Sequence, residues 1–343
     1  MRWSTRRHKP LFCRTPTMNA APLVTIMIPT CNQEAYIREA VESALAQDYP
    51  NLEVIAADDC SADSTPAILK ELQKTDTRLT VVENRTKLGR LGNYRNLLYR
   101  LASGDWVINL DGDDFFTDRS FVSRFLHAAQ VYPEAVLIFG DLANEENPHR
   151  RKSPRASGPH ALDGTGYVLK WPGVFPRIQH AACLYRRKEA VARGFYSLDI
   201  LSSDYESLFK LALGSQIVYV PGAVAVWRKH SNNLSAEKDP AVLIANFKLF
   251  ESTADFAQRL LPGLPREKLE RWKRRNIRRK IYTGFLFYKL AGEYGMMRLF
   301  QAKLKESPYR RDYFRARFSP VNRIKIRIHR LLRQIENFRP FRR

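Results

Sequence analysis

Apolar runs and amphipathic stripes alternate over the first third of the chain. Leu23 to Thr30 is a nearly continuous apolar run, as expected of a buried strand, and Pro29 reads as its stop. Asn32 is a candidate N-cap for the helix that follows. The stripe of that helix is Ile37, Ala40, Val41, Ala44 and Leu45, spaced for one helical face. Tyr49-Pro50-Asn51 turns the chain into a second strand, Leu52 to Ala57. Pro66 marks the start of a helix reaching about Gln73. A third strand covers Leu79 to Val82, a helix spans about Leu91 to Leu101, and an apolar run enters Trp106 to Leu110. This β-α-β-α-β-α-β order predicts an α/β fold. It implies a mostly parallel sheet with helices on both faces and right-handed crossovers.

Farther on, Glu134 to Gln179 reads as a variable segment, with the basic run Pro148 to Arg155 either a mobile solvated loop or part of a binding site. Trp171 and His180 are its candidates for a ligand contact or for the core. Tyr205 to Ala212 is helical, with Leu208, Phe209, Leu211 and Ala212 apolar, and Val218 to Pro221 is a strand. Three more helices are expected around Leu243–Leu261, Leu269–Tyr288 and Ile324–Phe338.

The candidate chemistry lies where strands end. Trp106 to Leu110 runs into Asp111-Gly112-Asp113-Asp114, and the second strand runs into Asp58-Asp59. Carboxylates this close repel unless a cation or a shared proton relieves them. Oxygen ligands suit a hard divalent ion, Mg²⁺ or Mn²⁺, with positions left for phosphate oxygens. A parallel sheet brings both clusters to one edge, the edge at which open α/β sheets bind ligands.

Charge changes the picture of the C-terminal third. The net charge is +22 over 343 residues, and Leu264 to Arg343 hold 25 Lys+Arg against 6 Asp+Glu, so the rest carries only +3. The expected organisation is a flexible basic arm (1–22), an α/β domain (23–235) and a basic helical region (236–343). The arm lacks the apolar core of a signal peptide; it reads as a disordered extension or a mis-assigned start ahead of Met18. Four scattered cysteines without a C-x-x-C pair argue for a reducing compartment and against structural zinc. No apolar run reaches the roughly 18 residues of a spanning helix.

Taken in order, Ile28-Pro29-Thr30-x-Asn32, Asp58-Asp59-x-Ser61-x-Asp63-x-Thr65, Arg95-Asn96 and Asp111-x-Asp113-Asp114 resemble family 2 glycosyltransferases over about residues 23–235. The resemblance implies the GT-A (Rossmann-like) fold and inverting transfer of a single sugar from a nucleoside-diphosphate sugar to an acceptor hydroxyl. It implies a nucleotide-sugar site of Pro29, Thr30, Asn32, Asp58, Asp59, Arg95 and Asp111, with Asp59 on the base and Asp58 beside it, holding the loop. Asp113, Asp114 and His230 are the implied metal site, the last from Trp227-Arg228-Lys229-His230 and Ser235. Asp204 aligns with the catalytic base, with Ser203 where the family usually has Glu. An Asp here also serves as an ordinary helix cap.

The implied setting is cell-surface polysaccharide synthesis (lipopolysaccharide, O-antigen or capsule) with a glycan or lipid-linked acceptor. Arg323, Lys325, Arg327, Arg330 and Arg333 flank the apolar stripe Ile324, Ile328, Leu331, Leu332, Ile335, Phe338. That stripe suits an anionic membrane surface, hence a cytoplasmic enzyme peripheral on the inner face. Packing on the domain would use the same stripe. No nucleic-acid reading motif is present. The competing reading is a non-catalytic GT-A-like scaffold tethered to membrane or nucleic acid by its basic tail.

Overall fold

The computed structural model describes residues 21–145, 158–174, 176–230, 233 and 237–317. Residues 1–20 of the expected arm, the whole basic run 148–155, Ser235 and the helix expected over 324–338 lie outside them. The elements alternate as the pattern predicts: β1 (Val24–Thr30), α1 (Ile37–Leu45), β2 (Leu52–Asp58), α2 (Thr65–Gln73), β3 (Leu79–Glu83), α3 (Gly89–Asn96) and β4 (Trp106–Asn109). β5 (Phe115–Phe116), α4 (Phe121–Val131), β6 (Ala135–Asn144), β7 (His160–Asp163), α5 (Gly164–Lys170), β8 (Cys183–Arg186), α6 (Arg187–Ala192), α7 (Ser203–Ala212) and β9 (Gln216–Trp227) complete the sheet layer. The C-terminal helices are α8 (Pro240–Ala245), α9 (Lys248–Leu260), α10 (Arg266–Leu290), α11 (Tyr294–Glu306) and α12 (Arg310–Arg317).

The sheet runs β3-β2-β1-β4-β8-β6-β9-β5, with β7 also paired to β9. Its first four strands are parallel, as the β-α repeat requires. Beyond β4 it is mixed: β8 is antiparallel to both β4 and β6, while β6 and β9 are parallel. β6 falls inside the segment expected to be variable, and all of Leu137, Ile138 and Phe139 is buried. β9 extends the expected Val218–Pro221 strand, with a register shift opposite Phe139–Asp141 at the Pro221-Gly222 bend.

Two local expectations are corrected. Pro29 does not stop β1, which runs through Thr30. Pro29 faces the β4 side, where its carbonyl accepts from Gly112 N. β4 ends opposite Met27, so no ladder bond is required of the proline nitrogen there. Asn32 does not cap α1, whose N-cap is Tyr36. Asn32 has φ +53° and its Oδ1 accepts from Ala62 N, tying the loop after β1 to the loop after β2.

The sheet has a hydrophobic layer on each face. One is filled by α1, α2 and α4. The other joins α3, α5 and α7 to the C-terminal helices through Phe209, Phe250, Trp272, Ile281, Tyr288 and Phe300. Trp272 donates Nε1–H to Val168 O at 2.7 Å, so its indole is buried without an unmet donor. The basic helices therefore share a core with the sheet. Where charge enters the packed region it is paired: the buried Asp312 accepts from Arg274 and Arg278. No helix among the described residues is long and apolar enough to cross a membrane.

Candidate active site

The carboxyl ends of β1, β2 and β4 open into a cleft of about 990 Å³. Pro29, Thr30, Asp59, Asp111, Asp113, Asp114 and Asp204 all line it. The two acidic loops, Asp58-Asp59 and Asp111 to Asp114, follow strands on either side of β1 and meet as parallel pairing dictates.

Each carboxylate has a distinct environment. Asp58 binds its own loop: Oδ2 accepts from Ser61 N at 3.0 Å and Oδ1 from Ser61 Oγ. Asp59, also buried, accepts from Asn84 Nδ2, Leu88 N and Gly89 N at 2.7–3.0 Å, which fixes the start of α3 against the cleft. Asp111 Oδ1 accepts from Tyr94 OH at 2.5 Å. Asp114 Oδ1 accepts from Arg228 N at 3.0 Å. His230 Nε2 lies 2.8 Å from Asp113 Oδ2, and its ring stacks on Tyr36.

Asp111, Asp113 and Asp114 each present an oxygen within 4.8 Å of the others. Gly112 allows this tight turn, because a Cβ there would run into the Gln33 and Thr30 side chains. Burial raises the Asp113 carboxyl above the ordinary carboxylate range, and Asp111 adds to it. Burial, Asp111 and Asp113 raise Asp114 well above that range. Three hard oxygen donors this close together, two of them with raised carboxyls, fit a divalent cation such as Mg²⁺ or Mn²⁺.

Arg228 organises this corner. Its guanidinium lies between the rings of Tyr36 and Phe115 and pairs with Glu39 and Glu145. The loop carrying His230 is thereby fixed to α1 and β5.

Asp204 stands at the second position of α7, whose N-cap is Ser202. The capping alternative is thus not realised. None of the hydrogen bonds or ion pairs among the described residues engages the Asp204 carboxylate, which lines the cleft. Arg193 clamps the other end of α7, donating from Nη1 to the carbonyls of Lys210, Leu211 and Leu213.

Asn32, Asp58 and Arg95 do not line the cleft. Arg95 donates to the carbonyls of Tyr196 and Ser197 instead. The cleft face of α3 is Arg90, Asn93 and Tyr94, at i, i+3 and i+4, one helical step away from Arg95. That phase was readable in the sequence; the pairing of Tyr94 with Asp111 was not. His180 lines the cleft and its Nε2 is 2.8 Å from Tyr196 OH, whereas Trp171 packs on Tyr205 and Phe209. One wall was missed altogether: Lys280, Thr283, Gly284 and Phe287 of α10 and Phe300 of α11.

Residues 25–191 match the family described as glycosyl transferase family 2. An uncharacterized protein of Mycobacterium tuberculosis is 27% identical over 216 residues, covering 62% of this chain and 60% of its own length. The chain thus spans less than two thirds of that relative. Poly(ribitol-phosphate) beta-N-acetylglucosaminyltransferase TarS of Staphylococcus aureus is 31% identical over 116 residues, 33% of this chain and 20% of TarS. The crystal structure of TarS residues 1–349 with UDP-GlcNAc superposes with a TM-score of 0.56 at 15% identity, covering 83% of this chain and 92% of that one. A mannosyltransferase of Pyrobaculum calidifontis, in complex with GDP-Man and Mn²⁺, gives 0.54 at 20% identity over 91% and 90% of the two chains. At those identities the likeness establishes the fold.

Proposed function

Because its residues 25–191 make this chain a member of glycosyl transferase family 2, we propose that it transfers one sugar from a nucleoside-diphosphate sugar to an acceptor hydroxyl, with inversion. The observation that carries this reading is a single cleft lined by Asp59, the Asp111–Asp113–Asp114 cluster and the unengaged carboxylate of Asp204.

The donor nucleotide lies over Pro29, Thr30 and Asp59, with Arg90 in place of Arg95 as the nearest cation of α3. Asp111, Asp113 and Asp114, with His230 beside them, hold a divalent cation. Such an ion, when bound, offsets the charge that develops on the departing nucleoside diphosphate. TarS and the Pyrobaculum enzyme support the donor class, since the one is solved with UDP-GlcNAc and the other with GDP-Man and Mn²⁺.

Asp204 accepts the proton of the acceptor hydroxyl as that oxygen attacks the anomeric carbon opposite the diphosphate. It stands in the first turn of α7 and lines the cleft, within reach of a bound acceptor. Tyr94 and Arg228 keep the acidic cluster in register, Tyr94 through Asp111 and Arg228 through Asp114. The acceptor belongs to cell-surface polysaccharide synthesis, in keeping with the relative that acts on poly(ribitol-phosphate). The enzyme acts at the inner membrane face, held by the basic 264–343 region. The test is donor turnover with Mn²⁺ across a panel of UDP- and GDP-sugars. Transfer or slow hydrolysis that Asp204→Asn and Asp113→Ala both abolish supports the reading; full activity in both variants ends it.

A further inference from the structure

The cleft is mixed in its chemistry. The carboxylates of Asp113, Asp114 and Asp204 line one part of it, and Leu243, Phe247, Gly284, Phe287 and Phe300 give it an apolar lining as well. Lys280, Gly284 and Phe287 stand at i, i+4 and i+7 on α10, so one helix face runs from a cation to an aromatic ring over about 10 Å. Phe287 is 40% exposed, so the apolar lining opens at the surface, while Phe247 and Phe300 are buried behind it. Gly284 permits this surface: a Cβ there would lie 2.9 Å from Phe300 ring atoms.

Several cations of α10 that approach the protein already have hydrogen-bonding or ionic partners. Lys273 pairs with Glu270, Arg278 with Asp312, and Arg275 donates to the carbonyls of Leu169 and Trp171. Lys280 has no such partner among the described residues, although it lines the cleft. Its side chain reaches solvent, yet the protein packed around it lowers its pKa and Arg279 adds to this, while Asp204 acts the other way. Glu237, another carboxylate of the lining, accepts from the backbone N–H groups of Lys238 and Asp239.

We propose that this part of the cleft binds an amphiphilic acceptor in which a phosphate joins the glycan to a hydrocarbon chain. Lys280 takes the phosphate, and Leu243, Gly284, Phe287 and Phe300 take the first carbons of the chain. The inference rests on the transferase reading and names its acceptor class. A free cation between a carboxylate base and an apolar mouth matches the order hydroxyl, phosphate, hydrocarbon. A soluble glycan would leave Lys280 unpaired and Phe287 wet.

The test is calorimetric titration of the full chain with dodecyl phosphate below its micelle concentration, beside dodecanol and inorganic phosphate. Dodecyl phosphate is expected to bind more tightly than either by roughly tenfold or more, the scale of one charged hydrogen bond or a few buried methylenes. Lys280→Met and Phe287→Asp should each weaken it by roughly tenfold. Arg271→Gln, an exposed cation on the far side of α10, should leave it unchanged. Equal weakening by Arg271→Gln, equal affinity for inorganic phosphate, or no binding would overturn the proposal. UDP and GDP binding with Mn²⁺, measured on the same proteins, separates the two levels. Nucleotide binding without amphiphile binding refutes the acceptor class alone, and loss of both in the unsubstituted chain refutes the transferase reading.

Discussion

The two walls of the cleft are built in different ways. On the sheet side, each functional side chain is positioned by where a strand ends. β1 pairs with β2 through Thr30 and Asp58, so the loops that follow leave from the same level. On the helical side, position depends on which face of a 25-residue helix turns inward. That face is chosen by Trp272, Ile277, Ile281 and Tyr288, which reach into the core shared with α7 and α9. Strand ends carry chemistry in short contiguous runs, whereas a helical wall disperses it over several turns. Substitutions can therefore probe the walls separately.

The largest contrast should come from Asp204→Asn. Loss of a general base lowers turnover by roughly 10²–10⁴-fold, with Mn²⁺-dependent nucleotide binding retained; steady-state assay and thermal shift read the two. Retained turnover would separate α7 from the chemistry. Next, Trp272→Ala should cost about 3–5 kcal/mol. Because its indole belongs to the core beneath the sheet, denaturant unfolding should remain a single transition. Two transitions, with only one displaced, would show that the C-terminal helices fold as their own unit.

Tyr94→Phe removes the hydroxyl that holds Asp111 and should weaken Mn²⁺ binding by roughly tenfold, read by competition with a fluorescent chelator. A pH series tests the acidic corner directly. Asp113 and Asp114 are raised, chiefly by burial, so without metal the folded chain binds more protons than the unfolded one above the ordinary carboxylate range. Their contribution makes stability rise as pH falls from neutral toward that range. Saturating Mn²⁺ should remove the rise, and so should the Asp113→Asn, Asp114→Asn pair, both followed by melting temperature. The smallest effect is expected from Arg95→Ala: about 1 kcal/mol of stability and no change in nucleotide affinity, whereas Arg90→Ala should lower that affinity.

The sheet half was legible because alternation, apolar runs and acidic ends coincide. The Asp111–Asp114 cluster, Asp59 and Asp204 all reach one cleft, as their places at element ends led one to expect. Arg95 failed through helical phase, and Asn32 through a left-handed backbone that turns its side chain toward Ala62. β6 was hidden in a segment read by its Pro and basic content, although its ten residues are largely apolar. The helix expected over Leu243–Leu261 is broken between α8 and α9. There Asn246 leaves the helical face to hold Ser202 through both its amide atoms. Such a contact, forty-four residues away, is a tertiary decision that no local pattern contains.

Glu206 lies two residues beyond Asp204 on α7, with no solvent exposure. It is ion-paired to Lys210 and accepts from Ser252 Oγ of α9 at 2.5 Å. Sliding or rolling α7 would strand that charge in an apolar interior, at a cost of about 3–5 kcal/mol. The helix bearing the base is thus pinned like an anvil. It is fixed to the same core that holds α10 and α11, so the reactants must be brought to the base rather than the base to them.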